Sequence, residues 1–260
     1  MQKIFMALFV ISSSAVCGEW DYNAGFGYRS EPLGVAANAT AGFGQTLWDI
    51  RGQSNAPSGF EKIMFGYVRP QLRVQTSGVV NSFDSRLEIF PISIFGLSLG
   101  HNSSFRQIDF EGVPCETVTC RGQINRSYLQ MQMVGGVSQF VLVGLLRFES
   151  LEGEAKGRAQ FYDEASSLLA SQSGDTLSNI DAALLFKPTD SINFGVLHSR
   201  YRFQGSNQKA DLNSLIYSHK AGVYQYQAGL GVYNSSITPK NSPTFFVSMK
   251  WIPKASVGIL

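Results

Sequence analysis

The chain carries little charge and few thiols. Charged residues make up 15% of its 260 residues, and Lys plus Arg (21) nearly balance Asp plus Glu (19). That balance excludes the basic footprint that a nucleic-acid partner requires. Past the first 18 positions, no run of eighteen apolar residues occurs, which excludes a membrane-spanning helix there. His198 and His219 have no ligand partner at i+2 or i+4, and His101 is the only histidine near the later cysteine pair, so neither a metal nor another cofactor is expected. Stretches with helical periodicity are also scarce.

What the chain has instead is glycine (26) and aromatic residues, including 19 Phe and 10 Tyr. This composition favours strands and turns. The first 18 residues read as a secretory leader: Lys3, then the apolar "IFMALFVI", then the small residues of "SSSAVCG". The leader takes Cys17 with it. Cys115 and Cys120, in "VPCETVTCRG", remain and are expected to close a small loop disulfide in an exported protein.

Most of the remaining sequence alternates with period two. "EWDYNAGFGYR" puts Trp20, Tyr22, Ala24, Phe26 and Tyr28 on one face; "TFFVSMKW" does the same with Phe245, Val247, Met249 and Trp251. Twelve strands are expected, near 19–29, 33–48, 61–76, 79–90, 94–106, 122–134, 138–150, 178–187, 190–203, 210–218, 223–233 and 244–252, with ten or fourteen the neighbouring counts. Short connections such as "FPIS" and "VGGVS" alternate with longer polar ones near 107–121, 151–177, 204–209 and 234–243; "SEPL" and "DIRGQSNAPSG" depart from the alternation. Residues 163–170 are expected to form a short helix in the longest loop.

Strands with one apolar and one polar face need an apolar medium on one side. Ten tilted residues cross a bilayer, and in lipid no strand edge can stay unpaired, so the sheet must close. The pattern resembles that of bacterial outer-membrane β-barrels. The resemblance implies an all-β, transmembrane, antiparallel up-and-down barrel over 19–260 in the outer membrane of a Gram-negative cell. It also implies extracellular long loops, membrane lipids as surroundings and insertion by the barrel-assembly machinery. Trp20, Tyr28, Trp48, Tyr233 and Trp251 are expected in interfacial girdles. The tail after Trp251 departs from the family's usual terminal aromatic. A soluble β-sandwich is the competing fold, but its outward face would carry more charge than this chain offers.

With the apolar face toward lipid, the inner face collects both signs. Arg73, Arg86, Arg106, Arg126, Arg147, Lys187 and Lys250 are the cations; Asp21, Asp84, Glu88, Glu149 and Asp181 are the anions. Gln71, Gln75, Gln130, Gln132, Gln225 and Gln227 add amides, while Val141, Val143 and Leu145 fill part of the lumen. A mixed lining suits a narrow passive channel for small solutes or a plugged, loop-presenting barrel, and argues against strong ion selectivity.

One local pattern points to different chemistry. In "GHNSSF", His101 and Ser103 share the lipid-facing phase, and Asn125 of "INRSY" shares it on the next strand. A serine nucleophile needs a base, and the base needs an orienting group. His101-x-Ser103 with Asn125 resembles the arrangement in outer-membrane phospholipases of type A, and "INRSY" is similar to the Asn-Arg-x-Tyr of that family. Lipid A deacylases carry a similar pair with an acidic partner, for which Glu111 and Glu116 are the nearest residues. That resemblance implies lipid hydrolysis as the alternative function. It departs from the family pattern at Gly100 and Ser104 and in the long interval from Ser103 to Asn125.

Overall fold

The computed structural model describes residues 18–31, 33–49, 64–109, 113–154, 158–237 and 241–254. The leader (except Gly18), most of "DIRGQSNAPSG", Glu111 and the tail beyond Lys254 lie outside the described residues.

Twelve strands form the barrel: β1 (Gly18–Ser30), β2 (Leu33–Asp49), β3 (Phe65–Thr76), β4 (Val80–Ile92), β5 (Phe95–Arg106), β6 (Gly122–Val137), β7 (Phe140–Gly153), β10 (Asp175–Phe186), β11 (Ile192–Phe203), β12 (Lys209–Ala221), β13 (Tyr224–Ser235) and β14 (Ser242–Lys254). Two further strands, β8 (Gln160–Asp163) and β9 (Leu168–Ser171), make a separate hairpin. Neighbouring barrel strands pair antiparallel in chain order, and β1 pairs with β14 to close the ring. Closure gives every strand two partners, as a hydrocarbon surround demands.

Alternation decides what each face carries. Outward-pointing Leu72, Leu99, Leu142, Leu184, Leu215 and Leu230 are all exposed, the last two by 66% and 69%. An apolar outside with polar side chains buried within inverts the usual soluble arrangement. One rim carries the start of β1 and the end of β14 and is here called the terminal rim. Aromatic pairs ring it: Trp20–Phe43, Tyr22–Trp251, Phe140–Phe186 and Phe194–Tyr217, with centroids 5.3–6.0 Å apart. Such rings settle at the membrane–water interface. Tyr233 is a correction to the expected girdle. It shares the inward phase of Gln225 and Gln227, is 2% exposed, and bonds through its hydroxyl to the Ser166 carbonyl.

The connections at 107–121, 154–174, 204–208 and 236–241 leave from the opposite rim. The β7–β10 connection there folds back across the mouth as the β8–β9 hairpin, so this is the hairpin rim. The expected helix over 163–170 is therefore replaced by a strand, a turn and a strand. Asp163 accepts hydrogen bonds from the Ser166 N–H (3.0 Å) and hydroxyl (2.5 Å), a local closure that offers the backbone an alternative to a helix. Ser167 takes the left-handed conformation that completes the turn (φ 55°).

Candidate functional site

The interior is organised in tiers. Nearest the terminal rim, Tyr67 stacks on Phe90 with centroids 4.4 Å apart. Above this pair lies Arg69, 6% exposed, whose guanidinium holds Asp21 by two contacts and donates to Glu88 Oε2 at 2.9 Å. Arg86 Nε stands 3.1 Å from the other Glu88 oxygen. Forked guanidinium contacts of this kind satisfy buried carboxylates and fix geometry. Arg69 was absent from the expected lining, although Gln71 and Arg73 share its phase, and that phase was the signal that would have found it.

In the middle tier the Tyr128 hydroxyl donates to Asp84 (2.9 Å to Oδ2). The Arg147 guanidinium lies 3.7 Å from the centre of the same ring, a cation–π contact. Gly100 makes room for this arrangement, because a Cβ there would lie 2.3 Å from the Tyr128 ring carbon bearing the hydroxyl. Arg147 also pairs with Glu149 at 2.7 Å. Arg73 donates to Gln75 at 2.9 Å. Arg73 and Lys250 make no ion pair among the described residues, and Lys250 is exposed although its phase is inward. Water therefore reaches the lumen beside Lys250. On the facing wall Asp181 accepts from Asn179 at 3.1 Å. Lys187 is a correction: it lies past the end of β10, exposed in a turn.

At the hairpin rim the barrel holds a core like that of a soluble protein. Phe161, Leu168 and Ala170 of the hairpin pack with Ile124, Leu151, Leu177, Phe203, Ala210, Leu212 and Tyr233. These barrel residues project from β6, β7 and β10–β13, so the hairpin fills that side of the mouth. Phe161 lies over Gly153, where a Cβ would come within 2.7 Å of its ring. The polar end of the hairpin is held by Arg126, whose Nη2 contacts Asp163 at 2.5 Å and Glu164 at 2.9 Å, with Glu149 3.9 Å from Nε. Asp163 is wholly buried and Arg126 is 4% exposed. Burial pushes the Asp163 carboxyl up, but the Arg126 charge and the Ser166 bonds outweigh it and hold the group below its ordinary 3.8. Arg106, 3% exposed, donates to the Tyr162 carbonyl and clamps the hairpin from β5.

The cysteine loop braces the outer edge of the hairpin. Cys115 and Cys120 form a disulfide with Cα atoms 5.5 Å apart. Thr119 N–H donates to the Gln160 carbonyl and Tyr162 N–H donates to the Thr119 carbonyl, both at 3.0 Å. Arg158 reaches back to the Val118 carbonyl at 2.5 Å and to the Cys115 carbonyl.

On the opposite wall of the mouth, β1 and β2 present small inward residues, among them Gly27 and Ala36, which are Cα partners. A Cβ added at Gly27 would make ordinary contact with Ser248 at 3.5 Å. Among the described residues, β1–β5 and β14 contribute no side chain to the apolar core of the hairpin.

His101, Ser103 and Asn125 lie together on the outer face, because Ser103 and Asn125 are Cα partners across β5 and β6. Ser103 Oγ donates to Asn125 Oδ1 at 2.7 Å and stands 3.4 Å from His101 Nε2. The second imidazole nitrogen contacts Ser127 at 3.1 Å. Asn125 thus binds the serine rather than orienting the histidine, and it takes a further bond from Gln123 at 2.8 Å. This is the order of contacts of polar residues satisfying one another at a membrane boundary, not of an activated nucleophile. Glu116 lies exposed in the cysteine loop.

A closed ring of strands with an apolar, aromatic-girdled outside and an ion-paired inside defines a membrane-spanning β-barrel. No known protein family and no curated protein sequence matches the chain. Solved structures similar to it include the NanC porin, with a TM-score of 0.44 and 8% identity over 88% of this chain and 98% of that one. The KdgM porin gives 0.46 and 9% identity over 89% and 98%. OmpT of Vibrio cholerae gives 0.45 and 9% identity over 93% and 99%.

Proposed function

We propose that the chain is an outer-membrane channel for small polar solutes, with a mouth narrowed by a folded-in hairpin. The observation that carries this reading is the division of the mouth. The apolar core of the hairpin is built with β6, β7 and β10–β13, and among the described residues β1–β5 and β14 add nothing to it. A solute entering there passes Arg73, Arg86 and Lys250 on its way to the terminal rim. Most lumen charges are matched by a neighbour of opposite sign, and the cations without an ion pair, Arg73 and Lys250, are offset by Asp84 and Asp181, so selectivity among ions is weak. The hairpin rim faces outward, where barrels of this class carry their longer loops, and the leader over 1–18 directs export. The barrel-assembly machinery inserts the chain.

The test is conductance of the refolded protein in a planar bilayer. Native protein gives small, stable steps. Deleting Gln160–Ser171 enlarges them several-fold, and Gly27→Trp reduces them. Silence in the native protein and in the deletion variant would leave a structural barrel, and steps unchanged by the deletion would remove the hairpin from the conduction path.

A further inference from the structure

The outer face of β10–β13 departs from the rest of the apolar belt. On β10 the outward residues Phe186, Leu184, Ala182 and Ile180 are apolar in succession, and on β13 Leu230 and Val232 continue the belt. On β11 and β12 between them the belt stops early. After Phe194 and Val196 the outward residues of β11 are His198, Arg200 and Arg202; beyond Leu215, toward the hairpin rim, those of β12 are Asn213, Asp211 and Lys209. Cross-strand register puts these groups beside apolar neighbours: Arg200 faces Ile180, and Asn213 faces Val232. The result is a polar notch let into a hydrophobic wall.

Below the notch these strands and the adjoining β7 form a groove of about 710 Å³ lined by Leu142 of β7 with Ala182, Leu184, Val196, Leu215 and Leu230. His198 and Asn213 lie at its polar end, with His198 Nδ1 and Asn213 Oδ1 2.8 Å apart. Arg200 is matched by Asp211 at 2.7 Å. Arg202 and Lys209 are Cα partners, exposed, and make no ion pair among the described residues. Two free cations stand beyond the Arg200–Asp211 pair, on the hairpin-rim side of an apolar groove that opens to the bilayer.

From this juxtaposition we infer that the β10–β13 face is a seat for a membrane lipid with a net-anionic phosphate headgroup. An acyl chain lies in the groove and the phosphate meets Arg202 and Lys209, with Arg200 and His198 at its inner edge. Charge complementarity selects this occupant: an apolar partner would leave the two cations unmatched, and a soluble anion would leave the groove unfilled. Each basic side chain near a membrane surface contributes attraction for anionic lipid, and the apolar groove adds the burial of the chain. The site rests on the barrel's being embedded in a bilayer and is independent of any flow through the lumen.

The test is native mass spectrometry of the full mature barrel released from mixed micelles of phosphatidylglycerol and phosphatidylcholine with identical chains. The native protein retains one phosphatidylglycerol in preference to phosphatidylcholine. Arg202→Ala combined with Lys209→Ala lowers that preference by roughly tenfold to thirtyfold. Ala182→Phe, which fills the groove, removes retention of both lipids. The heat-dependent gel mobility of a folded barrel shows whether each variant has folded, and the bilayer conductance of the double variant equals that of the native protein. Equal retention of the two lipids by native protein, or a preference that survives in the folded double variant, would overturn the proposal. Loss of conductance with lipid preference intact would count against the channel and not against this site.

Discussion

Arg126 carries more of the mouth than any other single side chain. It sits between Glu149 of the barrel wall and the Asp163–Glu164 corner of the hairpin, almost wholly out of water. Removing one partner of a buried pair leaves the other uncompensated, at a cost of about 3–5 kcal/mol. Arg126→Met is therefore expected to unseat the hairpin while the twelve strands stay paired. Limited proteolysis should cut within the β8–β9 hairpin of the variant before the native protein is touched, and conductance should rise. A resistant hairpin in the variant would mean that the apolar core holds it alone. The same corner sets a pH response. A carboxyl held below its unfolded value contributes stability above that value, and the contribution is lost as pH falls through the folded one. Asp163 is such a group, with 3.8 as its ordinary value. Conductance is accordingly flat from neutral pH down to about pH 4 and rises only in stronger acid; a rise near pH 6 would assign the response to another group. Arg126 was legible from strand phase alone. Asp163 was not, because its partner lies in a different part of the chain and nothing local marks it for burial.

At the scale of elements, period-two alternation located every barrel strand, since lipid on one side and a polar lumen on the other impose the pattern over ten or more residues. It failed on β8 and β9. Four-residue strands show barely two periods, and neither face of this hairpin meets lipid, so Phe161, Leu168 and Ala170 read as scattered apolar residues. Tyr233 failed for a related reason: an aromatic near a strand end suggests a girdle unless its phase is checked against Gln225 and Gln227. The cysteine loop adds one parallel bridge to the hairpin, through the Thr119 bonds to Gln160 and Tyr162. Closing so short a loop contributes about 2 kcal/mol. Replacing Cys115 and Cys120 by Ser is expected to leave the barrel's unfolding midpoint nearly unchanged while channel steps become noisy, as the hairpin edge frays. Quiet steps in the double variant would show that Arg106 and Arg126 suffice to hold it.

For the whole molecule, the deciding feature is inversion: apolar side chains outside, charges within. A soluble β-sandwich with the same alternation would tolerate a lysine on its outer face and suffer from one in its core. This barrel reverses the rule. Leu230 and Gln227 lie three residues apart on β13, the first outward and 69% exposed, the second inward among polar groups. Leu230→Lys puts an ammonium into the hydrocarbon belt, which costs about 2–4 kcal/mol near the midplane. Gln227→Lys puts the same charge into a water-reached lumen and is expected to cost less than about 1 kcal/mol. Urea unfolding of both variants from lipid vesicles measures the two costs against one reference. The ordering matters more than either magnitude, because the two substitutions share strand, secondary structure and added charge, and differ in which medium receives it. If Leu230→Lys proved the milder change, the exposed Leu184, Leu215 and Leu230 would face water or a protein partner, and both the channel and the lipid seat would fall with the bilayer.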